Sequence, residues 1–400
     1  MKRKLTALLA AALCPLLVAC ANPKEFSDGE TLTKKYTRSS DITQTYNYAD
    51  GAQDAPTAYN SYTAAVTGFS FKMLGALAET EQSSFVCSPA VCALELGMLA
   101  NAASGDLRQD ILLALGANFS LSDLNTCSSY FKSRMETVSK AKLKKDEKTE
   151  DFVRLQGAML LEDGTDVKSA FLQNVADFYG FDVFRYAYGG ENADAKLKSY
   201  LKNSYPSDGL PLDGDMNLVG ATHISDSWLS GSERKIQSEK AVGVVKYTAA
   251  NPLKLVLLMP NEGTTPADYL KRLDTAEYAA LLNSADVTKP CTAEVPSFTV
   301  TAASTARKLS PALSACGLSA LFDGNAGFTA MSYHSGSAVS EMYEAAADFT
   351  LDENGVNTEK TPEPAAASDG ETIRFNRPFI FMLVDNETEI PVQMGIYQPT

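Results

Sequence analysis

The chain has 400 residues, 45% of them hydrophobic, and a formal charge of −14, enough apolar material for one large core or several average ones. Residues 1–19 carry Lys2, Arg3 and Lys4 and no acid, so the remainder stands at −17. Phosphate backbones would be repelled, and nucleic acid is not an expected partner. With only His223 and His334 in the chain, a histidine metal cluster is nearly excluded. No Cys-x-x-Cys spacing, phosphate-binding glycine loop or dinucleotide fingerprint occurs either, so neither a metal nor a cofactor is expected.

The first residues read as an export signal. Lys2-Arg3-Lys4 is the positive region, and the apolar run from Leu5 to Val18 is too short to span a bilayer comfortably as a permanent helix. Leu17-Val18-Ala19-Cys20 closes it and resembles the bacterial lipobox, in which the cysteine thiol is diacylated and becomes the first mature residue. Lipidation at Cys20 and a place in the cell envelope or on the cell surface are therefore expected, since two or more acyl chains make a stable attachment. An ordinary cleaved signal with an incidental cysteine would keep the export and lose the anchor. Residues 20–63 are rich in Ser, Thr, Tyr, Asp and Asn without helical periodicity, which suits a flexible tether.

The folded domain is expected over 64–400. Val66, Phe69, Phe71, Met73, Leu74 and Leu77 recur at helical spacing. A second helix follows Ser88-Pro89, with serine at the cap and proline in the first turn, and runs to about Ala102. Ser104-Gly105-Asp106 separates it from a third, with Leu107, Ile111, Leu112 and Leu115 as its apolar face and Gly116 at its end. Beyond Cys14 and Cys20, the five cysteines Cys87, Cys92, Cys127, Cys291 and Cys316 cannot all pair internally. Cys87 and Cys92, in an apolar stretch, read as buried thiols and not as a bridge. Strand character rises later, at 158–161, 255–259, 295–300 and 379–384. Helices first and strands last argue for an α+β body with large antiparallel sheets.

In chain order, several of these segments resemble the serpins. Phe85-Val86-Cys87-Ser88-Pro89 and the helix ending at Ser104-Gly105 look like that family's opening strand and helix. Leu218 to Trp228 can be laid on its strand ending at a tryptophan in the breach of the main sheet. Phe349 to Gly355 is similar to the strand leading into the hinge of the reactive-centre loop. Phe375-Asn376-Arg377-Pro378-Phe379, Asp385-Asn386-Glu387-Thr388 and Met394-Gly395 are similar to its C-terminal signature. The resemblance implies the serpin fold, with helices around a large central sheet, smaller sheets and an exposed reactive-centre loop, in a monomer that is not an enzyme. It further implies an inhibitor of an extracellular serine or cysteine protease: cleavage lets the loop insert as an extra strand while the protease is still acylated. Trp228 then stands at the breach, and Glu353, Gly355, Val356 and Thr358 form the hinge. Family spacing puts the scissile bond among Ala366, Ala367, Ser368 and Asp369, and small residues there suit an elastase-like or subtilisin-like protease.

Departures from the family pattern support a second reading, a non-inhibitory binding protein with an insertion-impaired hinge. At the shutter, where inhibitory members carry a hydrogen-bonded Asn and His, gapless spacing gives Gly220 and Ala345. The span from Trp228 to Pro260 is markedly short, so hairpin strands of a smaller sheet should be missing or reduced. In the hinge, alternate residues share a face, so Lys360 and Pro362 would follow Val356 and Thr358 inward, where a lysine is costly and a proline removes a ladder donor. Glu341, Glu344, Asp348, Asp352 and Glu353 read as a solvated acidic face, because they lack the spaced loop of a calcium motif.

Overall fold

A computed structural model describes residues 28–40, 55–116, 119–141, 152–187, 190–303, 305–324, 327–333, 338–362 and 370–399. Cys20, His334 and residues 363–369, which include Ala366, Ala367, Ser368 and Asp369, lie outside them. Four helices open the body: α1 (Tyr59–Ala78), α2 (Pro89–Ala102), α3 (Gly105–Ala114) and α4 (Leu121–Ala141). Every residue of α2 is buried, as expected of a helix that is apolar all round. Its cap departs from the sequence expectation. The Ser88 side chain makes no cap bond to the helix, and its N–H instead donates to the Glu344 carboxylate at 2.5 Å.

One six-stranded sheet runs in the order β1 (Phe85–Cys87), β16 (Pro391–Tyr397), β15 (Phe379–Asp385), β7 (Leu253–Pro260), β6 (Ala241–Tyr247) and β5 (Arg234–Gln237). The short span from Trp228 to Pro260 thus gives all three of its strands, β5, β6 and β7, to this sheet. Among the described residues a second sheet has two strands, β14 (Thr372–Arg374) parallel to β8 (Thr292–Glu294).

The eight-stranded central sheet is built around β4 (Met216–Ser227). On one side β4 pairs along most of its length with β2 (Phe152–Glu162), which pairs with β3 (Asp182–Tyr186). On the other side its two ends have different partners. Met216–Gly220 pairs in parallel with β11 (Val339–Glu344), itself next to β10 (Arg307–Lys308), while Asp226 and Ser227 pair antiparallel with β13 (Gly355–Val356). From β13 the sheet continues to β12 (Phe349–Leu351) and β9 (Phe298–Val300). Side-chain alternation explains how both faces are covered. Val153, Leu155, Met159 and Leu161 enter the main core, whereas Ala158 and Leu160 enter a smaller one closed by Ala193, Leu197 and Leu201 of the helix Glu191–Leu201.

Part of the expected tether is packed on this body. The Gly29 N–H donates to the Arg185 carbonyl at 3.0 Å, the Arg185 N–H donates to the Glu30 carbonyl at 2.9 Å, Thr31 bridges Phe184, and Thr33 Oγ1 donates to Asp182 at 2.9 Å. The Asp28 carboxylate accepts from the N–H groups of Ala187, Asn192 and Ala193. Residues 28–40 therefore dock beside β3 through backbone bonds that composition does not register, and α1 begins at Tyr59 instead of about residue 64.

Candidate functional site

The end of β4 and the turn that follows β12 meet at Trp228. Its indole is buried, its Nε1–H donates to the Asp352 carbonyl at 2.8 Å, and its backbone N–H donates to the Asn354 carbonyl at 3.0 Å. Asp352 folds the turn by accepting from the N–H groups of Asn354 and Gly355 on one carboxylate oxygen. Gly355 then enters the sheet against Ser227. A Cβ there would come within 2.0 Å of the Asp226 carbonyl oxygen, so only glycine permits this approach. Val356 follows opposite Asp226 and is wholly buried in the main core, while Glu353 stays exposed.

The strand stops after two residues. Asn357 has a left-handed backbone, φ 48°, and the chain turns there, so Thr358 does not continue the alternation expected from Val356. The Thr358 methyl instead lies beside Gly355, and the Thr358 hydroxyl accepts from the Lys360 N–H at 3.2 Å. Below this point Ala221–Ser225 has no strand partner on the hinge side among the described residues. A cavity of about 610 Å³ opens there, lined by residues that include Thr222, Ile224, Ala347 and Thr350.

At the foot of the cleft the Ala345 N–H donates to the Gly220 carbonyl at 2.9 Å. Glu95, reaching up from α2, occupies the space beneath. A Cβ on Gly220 would lie 3.0 Å from a Glu95 oxygen and 2.7 Å from Val91. Neither Glu95 oxygen has a hydrogen-bond partner among the described residues, and burial, then the neighbouring Glu344 charge, pushes the carboxyl well above the usual range. Glu344 is also buried and raised by desolvation, although Arg307 at 2.6 Å and Ser88 counteract this. The solvated acidic face is corrected on this point. Glu341 and Glu344 are buried, and Glu341 accepts from the N–H and hydroxyl of Ser310.

His223 on β4 is half-buried, with Nε2 2.6 Å from Ser204 Oγ. Burial, followed by Arg154, lowers it to about 4, so its ring is neutral at pH 7. Ser204 is itself buried, out of reach of a substrate. Cys87, Cys92, Cys127, Cys291 and Cys316 are unbridged thiols, each raised first by burial. Among the described residues no cluster of His, Cys, Asp and Glu could hold a metal, and no helix is long and apolar enough to cross a membrane. Sequence reasoning missed Glu95 and Asn357. The first was signalled by a lone charge in an apolar helix, the second by nothing stronger than its place two residues beyond Gly355.

The central sheet thus admits the first two residues of a following loop, Gly355 and Val356, beside an open cleft. The chain belongs to the serpin family: the family described as serpin (serine protease inhibitor) matches residues 64–204 and 232–399. An alpha-1-antitrypsin-like protein, GS55-LT, of Ictidomys tridecemlineatus is 26% identical over 160 residues, 39% of this chain. The match spans only 37% of that curated relative's length. Among solved structures, a thermophilic serpin, tengpin, in the native state superposes with TM-score 0.74 at 19% identity, covering 94% of this chain and all of that one. Human thyroxine-binding globulin complexed with thyroxine gives 0.68 at 17%, covering 85% and 98%. Serpin48 of the insect Tenebrio molitor gives 0.68 at 13%, covering 86% and 100%.

Proposed function

We propose that this protein is a cell-surface protease inhibitor of bacterial lipoprotein type, attached through Cys20 and not itself catalytic. The observation that carries the reading is the seat of Gly355 and Val356 between β4 and β12, at the mouth of a cleft that can receive a longer strand. In this reading the target's nucleophile attacks a carbonyl among Ala366, Ala367, Ser368 and Asp369, forming an acyl bond to the protease. The new amino end leaves with the downstream segment, which β14 holds to β8. Insertion of the upstream segment then carries the acylated protease along. Trp228 is the breach residue that fixes the turn before the hinge, and Glu353, Gly355, Val356 and Thr358 are the hinge. Small side chains in 365–368 favour elastase-like or subtilisin-like enzymes.

Lys360 and Pro362 support a refinement: insertion is slow, so many cleaved loops are hydrolysed before the protease is trapped, and the protein behaves partly as a substrate. Incubation with elastase-like, subtilisin-like, trypsin-like and glutamyl proteases, followed by a denaturing gel and sequencing of the new end, tests this. A minor covalent complex beside a major cleaved product is expected, with the cut in 365–370. Cleavage there without complex from any of the four enzymes would replace the proposal by the non-inhibitory binding reading, of which thyroxine-binding globulin is an example in this fold. For the anchor, mass spectrometry of membrane-extracted protein should find a diacylglyceryl adduct at Cys20. Protein in the medium with an unmodified Cys20 would remove that part alone.

A further inference from the structure

We infer that Asn357 is the stop that holds the hinge two residues deep in the central sheet. Its consequence for inhibition rests on the protease-directed reading, but the stop itself does not. In an antiparallel ladder the residue opposite Thr350 should give its N–H to the Thr350 carbonyl and take the Thr350 N–H on its own carbonyl. Asn357 does the first at 3.0 Å. The return bond goes elsewhere: the Thr350 N–H donates to Asn357 Oδ1 at 2.7 Å. The Asn357 carbonyl, freed by the left-handed turn, accepts from Ser225 Oγ at 3.0 Å, and Asn357 Nδ2–H donates to the Ile224 carbonyl at 2.8 Å.

One side chain therefore completes the ladder toward β12 and occupies an acceptor on β4 that a longer inserted strand would use. All of these groups are satisfied while the backbone is directed out of the sheet, and asparagine is among the few residues besides glycine that enter the left-handed region readily. Further insertion requires Asn357 to become extended and to surrender both side-chain bonds. The stop sets where the loop leaves the body and how much of it is presented to a protease, which makes Asn357 a positioning residue for the trapping reaction.

Hydrogen exchange of the intact exported domain tests this without a protease. In Asn357→Val the side-chain acceptor is gone and the β-branched residue avoids the left-handed region. An extended residue 357 then restores the bond to Thr350, and one further step enters the sheet. The amides of Thr358 and Glu359 should slow by about tenfold or more relative to wild type. Asn357→Asp keeps the acceptor for Thr350 and tolerates the turn, so Thr350 should stay protected and 358–359 should stay fast. A folded Asn357→Val protein with unchanged exchange at 358–359 overturns the inference. Should that variant not fold, Asn357→Asp decides alone: retained protection at Thr350 supports the stop, and its loss overturns it. Failure to trap any protease leaves these readouts unaffected and would count only against the inhibitory reading.

Discussion

Glu95 is one charged side chain in a helix whose every neighbour is buried and mostly apolar. It fills the shutter position from below, which accounts physically for glycine at 220. The groups facing it are the Glu344 carboxyl from β11 and the Cys92 thiol of its own helix. Its ordinary value is 4.5 and its folded value is well above that, so the folded state holds a proton that the unfolded chain has released. Stability is therefore intact below about pH 4.5 and falls as pH rises from there through the folded value, by up to about 1.4 kcal/mol per pH unit within that window. Glu344 is raised too and adds to the same slope, so the informative quantity is a difference between proteins. Glu95→Gln should be close to wild type in thermal midpoint near pH 5 and more stable than wild type near pH 8. A midpoint difference that stays constant across that range would show that Glu95 does not titrate as argued. The sequence displayed the pieces, Leu94-Glu95-Leu96 and Gly220, without displaying their contact, because which face of α2 meets β4 is a property of the assembled sheet.

At the scale of elements, legibility followed hydrophobic periodicity. The runs at 158–161, 255–259 and 379–384 lie in β2, β7 and β15, and the helix after Ser88-Pro89 ends at Ala102 as its spacing indicated. The run at 295–300 shows the limit of such patterns: residues 295–297 separate β8 from β9, two strands of different sheets. Two elements carry no periodic signal. The strand Gly355–Val356 is too short to have a period, and its end is set by the Asn357 turn. Residues 28–40 are polar in composition, yet Asp28 gathers three N–H groups around the start of the helix Glu191–Leu201, and Leu32 is buried. Acidic residues misled for a related reason. Glu341 and Glu344 sit on a strand flanked on both sides, so burial and the cations and hydroxyls around them, not their number, decide their state.

For the whole molecule, the question is how far loop cleavage can move the fold. Wild type has two hinge residues in the sheet, and the cleft below continues toward Gly220. Filling it would place Lys360 and Pro362 on the same inward face as Val356. Each proline in a central strand leaves a ladder acceptor unmatched, at a cost of about 1–3 kcal/mol, and turning the Lys360 ammonium into the sheet's inner face costs more still. Against this stand the bonds gained along Ala221–Ser225, which has no strand partner on that side among the described residues, so the balance favours a short extension over complete insertion. Nicking the loop near Ala366 should therefore raise the thermal midpoint by less than about 5 °C, equivalent to no more than roughly 3–4 kcal/mol for a domain of this size. Scanning calorimetry of the intact and nicked protein, with the cut verified by mass, measures it directly. An upward shift of about 20 °C or more would show that the cleft accepts Lys360 and Pro362 after all, and would turn the slow, substrate-like inhibitor proposed here into an efficient one.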